Sequence, residues 1–410
     1  MTMAPLRTRR RAFGAIWVVS ASSYVAIWAL RLALPLFAAQ QTASPLLVAL
    51  VTFAFNAPWL GFSLVAGALV DCLDRARLLQ FAAAVQGLVL AAALGLALAD
   101  AIPSVLLAVV ALVLGVGETV VETAVAALVP QVVAHDELDR ANTRLTGTQN
   151  LMELAALVLG GLVASLGLAP TLAVALGCHA LALLALTQLG GPYRASGSTA
   201  RRGALSGGLR FLARQRVLLT ISLMAAVING CWGAWLAVLP TYAVAPGPMG
   251  LSEPAYGLLL AAGSVGGMLG VLLAGPVMRR LGRRWTIGIN IVGNAVMFAA
   301  PALTTNLWLV GVASLVGGVG GPMWAISAAT LQQRLAPAEL LGRVSAAARF
   351  LGYGGLALGP LVGGLLAQQL GVGAVFLGSG LLTALMLIPY AIVVTERAMA
   401  QMSPADPVAV

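Results

Sequence analysis

The sequence predicts an all-α integral membrane protein with twelve transmembrane helices in two pseudo-symmetric six-helix halves. Three observations carry that prediction. The chain is 60% hydrophobic and only 9% charged over 410 residues, whereas soluble domains are about a quarter charged. Its apolar residues fall into about twelve runs, each long enough for a bilayer core of about 30 Å. A polar knot between two such runs, G-A-L-V-D-C-L-D-R-A-R from Gly67 to Arg77, returns downstream as G-P-V-M-R-R-L-G-R-R-W from Gly275 to Trp285. Recurrence at corresponding positions marks an internal repeat.

The first half reads as spans over residues 12–38, 46–70, 78–99, 105–129, 150–168 and 171–189. Arg31 interrupts the first span, Asp100 closes the third and Pro130 closes the fourth. Residues 131–144 read as an amphipathic polar connector. Residues 190–216 break the rhythm with a Gly-Gly-Pro turn, Ser, Thr and six arginines. Such a stretch is the natural link between halves, and its end has the pattern of a short basic helix at a membrane surface. The second half repeats the rhythm at 218–244, 255–278, 285–303, 307–331, 344–367 and 372–394. The expected division is therefore 1–190, a basic cytoplasmic linker over 191–216, and 217–410.

The net charge of +10 comes from arginine alone, since the chain has no lysine. A basic balance also suits nucleic-acid binding, but these arginines sit in short loops between spans. Arg75 and Arg77, Arg140 and Arg144, the linker, Arg279 to Arg284, and Arg334 and Arg343 fall on every second loop, with Arg7 to Arg11 and Arg397 at the ends. The intervening loops carry only Asp100 and Glu253. The positive-inside rule makes the arginine face, and both termini, cytoplasmic. The apolar run after the basic start has full spanning length and lacks a cleavage site, so no removable leader is expected. Cys72, Cys178 and Cys231 are scattered and read as free thiols, with no metal-type spacing. Richness in Ala, Gly and Arg suits a high-GC bacterium.

With these features in place, the chain resembles the major facilitator superfamily. The signature loop of that family matches at Gly67, Asp71, Arg75 and Arg77, with Cys72 in place of a base and Asp74 in place of a glycine. The second copy matches at Gly275, Arg280, Gly282, Arg283 and Arg284, with Arg279 where an acid is usual. Gly355, Gly359, Pro360, Gly363 and Gly364 resemble the antiporter glycine motif of drug exporters. That motif normally lies in span five, which here keeps only Gly160 and Gly161. Residues 130–161 also resemble residues 333–364. The likeness spans the whole chain and is nearest the branch of enterobactin-type siderophore and macrolide exporters. It implies a secondary transporter of the inner membrane, with Asp71 capping the start of span eleven as a conformational latch. The plainer reading of the same loop is a solvated turn that sets topology.

Glu118 and Glu122 lie one turn apart in span four, about 18 Å and about 12 Å from Pro130 at 1.5 Å per residue. Glu153 enters span five from the same face. Carboxyls inside a membrane are expensive and point to function, and burial with crowding favours their protonated forms. They are the proton-coupling candidates, with Glu118 the deepest; Glu122 and Glu153 have the alternative of snorkelling to the cytoplasmic end. Arg31 suits an anionic substrate, a carboxylate partner or a snorkelling role. His179 suits packing or proton transfer. Asn229, Trp232 and Trp235 in span seven and Trp324 in span ten are candidate cavity residues for an amphipathic ligand; tryptophan also forms interfacial belts, as Trp308 is expected to do. Glycines 263–270 and 317–321 lie inside spans without a P-loop lysine and read as close-packing surfaces.

The expected activity is export of a small amphipathic compound (a drug, siderophore or secondary metabolite) by proton antiport with rocker-switch alternating access. Import or uniport of a metabolite is the alternative, as is a non-transporting sensor. An enzyme is disfavoured because no nucleophile–base or metal-ligand motif is present. The expected partners are a small-molecule substrate, protons and the lipid bilayer, with no nucleic acid, no metal and no cofactor, and the chain is expected to be a monomer.

Overall fold

The computed structural model describes residues 6–42, 44–134, 137–189, 193, 204–337 and 340–395. Among these residues every regular element is a helix, apart from an isolated bridge between Val244 and Leu251. The first helices are α1 (Leu6–Gln41), α2 (Pro45–Cys72), α3 (Arg75–Leu98), α4 (Ser104–Val132), α5 (Leu138–Ala164) and α6 (Leu168–Leu186). A short α7 (Ala204–Arg214) precedes α8 (Arg216–Ala243), α9 (Glu253–Leu281), α10 (Arg283–Leu303), α11 (Leu307–Leu335) and α12 (Leu341–Leu370). The last span is built from α13 (Val372–Leu385) and α14 (Leu387–Val393). Among the described residues, twelve stretches are long and apolar enough to cross a membrane.

The helices run past the apolar runs that announce them. α1 has 36 residues, about 54 Å at 1.5 Å per residue, which exceeds the bilayer core. The polar connector expected over 131–144 is largely helix, because α4 reaches Val132 and α5 starts at Leu138. Hydropathy marks where lipid tails end; backbone hydrogen bonding continues the helix into the interface. Large apolar side chains such as Phe81, Leu88, Leu184 and Leu272 are exposed, as surfaces bathed in lipid require. Trp308 is exposed at the start of α11, where Asn306 accepts from the Trp308 and Leu309 amides at 2.9 and 3.2 Å.

The chain forms two compact units, one of Met1–Ala200 with Leu239–Ala261 and one of Arg201–Val238 with Ala262–Val410. In the first, α2 lies along α4, α1 packs on α5 and α6, and α3 packs on α4 and α6. Its core gathers Ile16, Val19, Leu79, Leu128 and Leu186. In the second, α10 packs on α11 and α13, and α12 packs on α7 and α13. Leu212, Ile287, Ile291 and Val344 form its core. The basic helix expected near the end of the linker is α7. Its apolar face is covered by its own unit, with Leu212 buried and Leu209 and Phe211 packed beside it. The rest of the expected linker, residues 190–192 and 194–203, lies outside the described residues, as does Arg397.

Candidate functional site

The polar centre of the first unit grows from a close approach of two helices. A Cβ at Gly115 of α4 would meet the Phe55 carbonyl of α2, so glycine lets the two backbones touch. One turn further along α4, on the same face, stands Glu118. Beside Phe55 stands Asn56, whose amide donates to the Thr52 carbonyl at 2.9 Å. That bond leaves the Asn56 carbonyl oxygen free to accept. Arg31 of α1 reaches both groups: Nη2 donates to Glu118 Oε2 at 2.7 Å and Nη1 to Asn56 Oδ1 at 3.0 Å. Its guanidinium lies 5.6 Å from the Trp28 ring centroid and 5.4 Å from that of Phe55.

The pair is mostly buried, with side-chain exposures of 14% for Arg31 and 19% for Glu118. Burial strengthens the attraction and makes loss of either partner costly. Of the roles open to Arg31, the structure shows the carboxylate partner.

A cavity of about 200 Å³ opens beside Glu118. Glu122, Gln86, Asn142, Gln149 and His179 also line it. Gln86 donates to the Leu114 carbonyl at 3.1 Å, in space that a Cβ at Gly117 would fill. His179 is 4% exposed, and its Nδ1 lies 2.9 Å from the Ala175 carbonyl. Donation from Nδ1 leaves Nε2 of the neutral ring as an acceptor. Glu153 is half-buried on α5 and is not on the wall of this cavity.

The loop between Gly67 and Arg77 is built around its charges. Asp74 caps α3, accepting from the Arg77 amide at 3.1 Å, and its other oxygen accepts from the Tyr193 amide at 3.0 Å. Burial, then the nearby Asp74 carboxylate, pushes the Tyr193 phenol above its ordinary pKa. Arg75 is buried, donating to the Val70 carbonyl at 3.3 Å and the Ala127 carbonyl at 3.1 Å. It thereby ties the ends of α2 and α4 together, where the helix dipole also favours a cation. Asp71 is half-buried, 4.0 Å from Arg75 Nη2. Arg77 is exposed and Gly67 half-buried.

In the second copy, Gly282 has φ +83 and precedes α10, a left-handed conformation that favours glycine. Arg284 lies 5.6 Å from the Tyr390 ring centroid, while the Tyr390 hydroxyl donates to the Arg284 carbonyl at 2.9 Å. A Cβ at Gly275 would sit 3.5 Å from Arg279 Nη1. The Arg283 side chain lies outside the described residues.

A second cavity, about 580 Å³, lies in the second unit. Two expected residues, Asn229 and Trp324, line it, and Asn229 donates to the Gly352 carbonyl at 3.3 Å. Trp232 is half-buried. Trp235 is 3% exposed, its ring centroid 6.4 Å from that of Phe298, so it serves the packing of its unit instead of a cavity wall. Ser222, Gln332, Ser345, Arg349 and Tyr353 add further polar groups to the lining. Sequence reasoning missed Arg349, although a lone arginine inside an apolar run was the available signal.

The antiporter-like glycines are contact points between helices. A Cβ at Gly355, Gly359 or Gly363 would meet Ala226, Gly230 or Ala234 of α8, and Pro360 lies against Gly233. Gly364 is buried beside them. In the first unit, Gly160 faces Ala29, and Gly161 faces the backbone of Glu253 and Gly257. Some of the glycines expected as packing surfaces behave alike: Cβ atoms at Gly266 and Gly270 would meet the Leu315 and Val319 carbonyls. Among the described residues, no group of His, Cys, Asp and Glu is arranged to hold a metal.

Residues 1–409 match the family described as transmembrane secretion effector. The multidrug efflux pump Tap of Mycolicibacterium fortuitum is 31% identical over 363 residues, covering 85% of this chain and 87% of the pump. Tap of Mycobacterium tuberculosis is 31% identical over 372 residues, covering 85% of each chain. Among solved structures, the nucleoside transporter NupG superposes with a TM-score of 0.75 at 14% identity, covering 94% of this chain and 99% of its own. A bacterial homologue of the human lysosomal transporter Spinster gives 0.75 at 13%, covering 98% and 100%. At these identities, the two structures speak to the fold alone.

Proposed function

Because the chain belongs to the transmembrane secretion effector family of the major facilitator superfamily, whose members are membrane transporters and not enzymes, we propose that it exports a small amphipathic compound in exchange for protons. The observation that carries this reading is the Arg31–Glu118 pair at the edge of a polar cavity. The multidrug efflux pumps that share 31% of its sequence support the outward direction. Drugs, siderophores and secondary metabolites are the substrate classes that fit.

In this mechanism Glu118 is the proton carrier and Arg31 its counter-charge. An ionised Glu118 holds α1 to α4 through the 2.7 Å bond. A proton arriving at the carboxylate discharges it, and the attraction that closes the pair is lost. Glu122, on the same cavity wall, is the second candidate carrier, and Glu153 is the third. The helices then re-pair when the proton leaves on the other side, so alternating access of the two six-helix halves is coupled to one charge. The arginine loops and both termini face the cytoplasm of a bacterial inner membrane, and the protein works as a monomer.

In the latch, Arg75 is already committed to the Val70 and Ala127 carbonyls. Asp71 is therefore the member free to exchange partners. Asp71→Asn is expected to lower efflux while leaving the amount of protein in the membrane unchanged, as read by transport and immunoblot on the same cells.

The test of coupling is export of a substrate panel from cells, wild type beside Glu118→Gln, with and without a protonophore. Efflux that both the protonophore and the substitution abolish supports proton antiport. Efflux that survives both sinks it, and accumulation in place of efflux supports import.

A further inference from the structure

The cavity of the second unit holds an arginine that has no partner among the described residues. Arg349 lies within the spanning stretch Arg343–Leu370, six residues or about 9 Å along the helix from Arg343. Ser345, Gly352 and Tyr353, four before, three after and four after it, line the same cavity. These positions share one helix face, so Arg349 points with them into the cavity. Guanidinium does not lose its proton in proteins, and an intramembrane cation without a counter-charge is expensive. Arg31 in the first unit has Glu118, Asn56 and two aromatic rings. Among the described residues, Arg349 has no hydrogen bond, ion pair or ring contact.

The unit cannot supply a carboxylate from its described residues. Residues 204–238, 262–337 and 340–395 contain neither Asp nor Glu. The remaining polar groups of the cavity are neutral. Ser345 donates to Gln332 Oε1 at 3.0 Å, which leaves the Gln332 amide NH₂ as a further donor. Trp324 and Tyr353 add apolar surface with aromatic faces.

We propose that this cavity binds the anionic group of an amphipathic organic solute, a carboxylate or phosphate, at Arg349, with the apolar part of that solute against Trp324 and Tyr353. The proposal deepens the export reading by naming a substrate class, and it rests on that reading only for the direction of transport. An arginine fork suits both oxyanions. A free solute and the headgroup of an anionic lipid share this chemistry. The volume of about 580 Å³, typical of small-molecule pockets, favours the solute.

The test is equilibrium binding to the purified full-length protein in neutral detergent at fixed pH, without any gradient. Radiolabelled 1-naphthoate is the anionic probe, and 1-naphthylmethylammonium is the cationic probe of the same shape. Wild type is expected to bind naphthoate saturably and at least about tenfold more tightly than the amine. Arg349→Gln should lose about tenfold in naphthoate affinity, the size of one charge-assisted hydrogen bond, and Arg349→Lys should keep part of it. Trp324→Ala should weaken both probes alike. Equal binding of the two probes, or unchanged naphthoate affinity in Arg349→Gln that is still monodisperse, overturns the proposal. Displacement of naphthoate by phosphatidylglycerol but not by 1-naphthyl phosphate would assign the arginine to a lipid headgroup and overturn it as well. Because no gradient is involved, failure of proton coupling leaves these outcomes untouched.

Discussion

The two units each enclose a polar cavity, and their charges are arranged in opposite ways. In the first, a mostly buried arginine is matched to Glu118 at 2.7 Å and steadied by Asn56. In the second, Arg349 faces the cavity with no acid among the described residues of its unit. A matched pair holds helices together. An unmatched cation is available to a solute. On the proposed reading, the first cavity serves coupling and the second recognition.

The largest expected effect would break this contrast at its centre. Glu118→Gln leaves Arg31 buried without its counter-charge, a loss of about 3–5 kcal/mol. Removing both charges, in Arg31→Gln with Glu118→Gln, should recover most of it. Thermal denaturation in detergent of the three variants checks this, and a double variant no more stable than the single one would show that the pair does not hold α1 to α4.

The repeated loops give the next comparison. Arg75→Ala removes charge-assisted bonds to two carbonyls and should cost about 1.5–3 kcal/mol. The counterpart Arg284→Ala gives up a contact with the Tyr390 ring, worth about 0.5–1 kcal/mol. The same denaturation assay ranks them, and an equal loss would contradict the assignment of Arg75 as a tie between α2 and α4.

Glycine offers the smallest contrast. A Cβ at Gly115 would meet the Phe55 carbonyl, whereas one at Gly321 would meet nothing within 4 Å. Gly115→Ala should cost about 1–3 kcal/mol by forcing α4 from α2 and should weaken coupling, since Glu118 moves with it. Gly321→Ala should be neutral or stabilising by about 0.5–1 kcal/mol. Stability of both variants, with efflux measured beside it, tests the difference.

Much of this molecule is legible in its sequence. Hydropathy alone marks twelve spans, because the bilayer imposes a length and a polarity on each. It does not say where helices stop, which is why the connector over 131–144 proved to be mostly helix. Glu118 and Arg31 announce themselves as charges inside apolar runs. Their partnership was not readable, because it depends on the packing of α1, α2 and α4 and on the close approach at Gly115. Asp74 looked like a departure from a motif and turns out to cap α3, a role set by three residues of local geometry. Trp235 looked like a cavity residue; helical spacing from Trp232 could not tell a cavity wall from the packing against Phe298. Arg349 lies inside an apolar run, but its place in a cavity depends on how α12 packs, which a lone charge in sequence does not give.

The most direct measurement is proton movement in proteoliposomes. A pH-sensitive dye trapped inside would report proton flux when a substrate gradient is imposed, for wild type and for Glu118→Gln. The account predicts substrate-driven proton counterflow in wild type and none in Glu118→Gln, with downhill substrate movement retained. Proton counterflow of equal size in both proteins would contradict it.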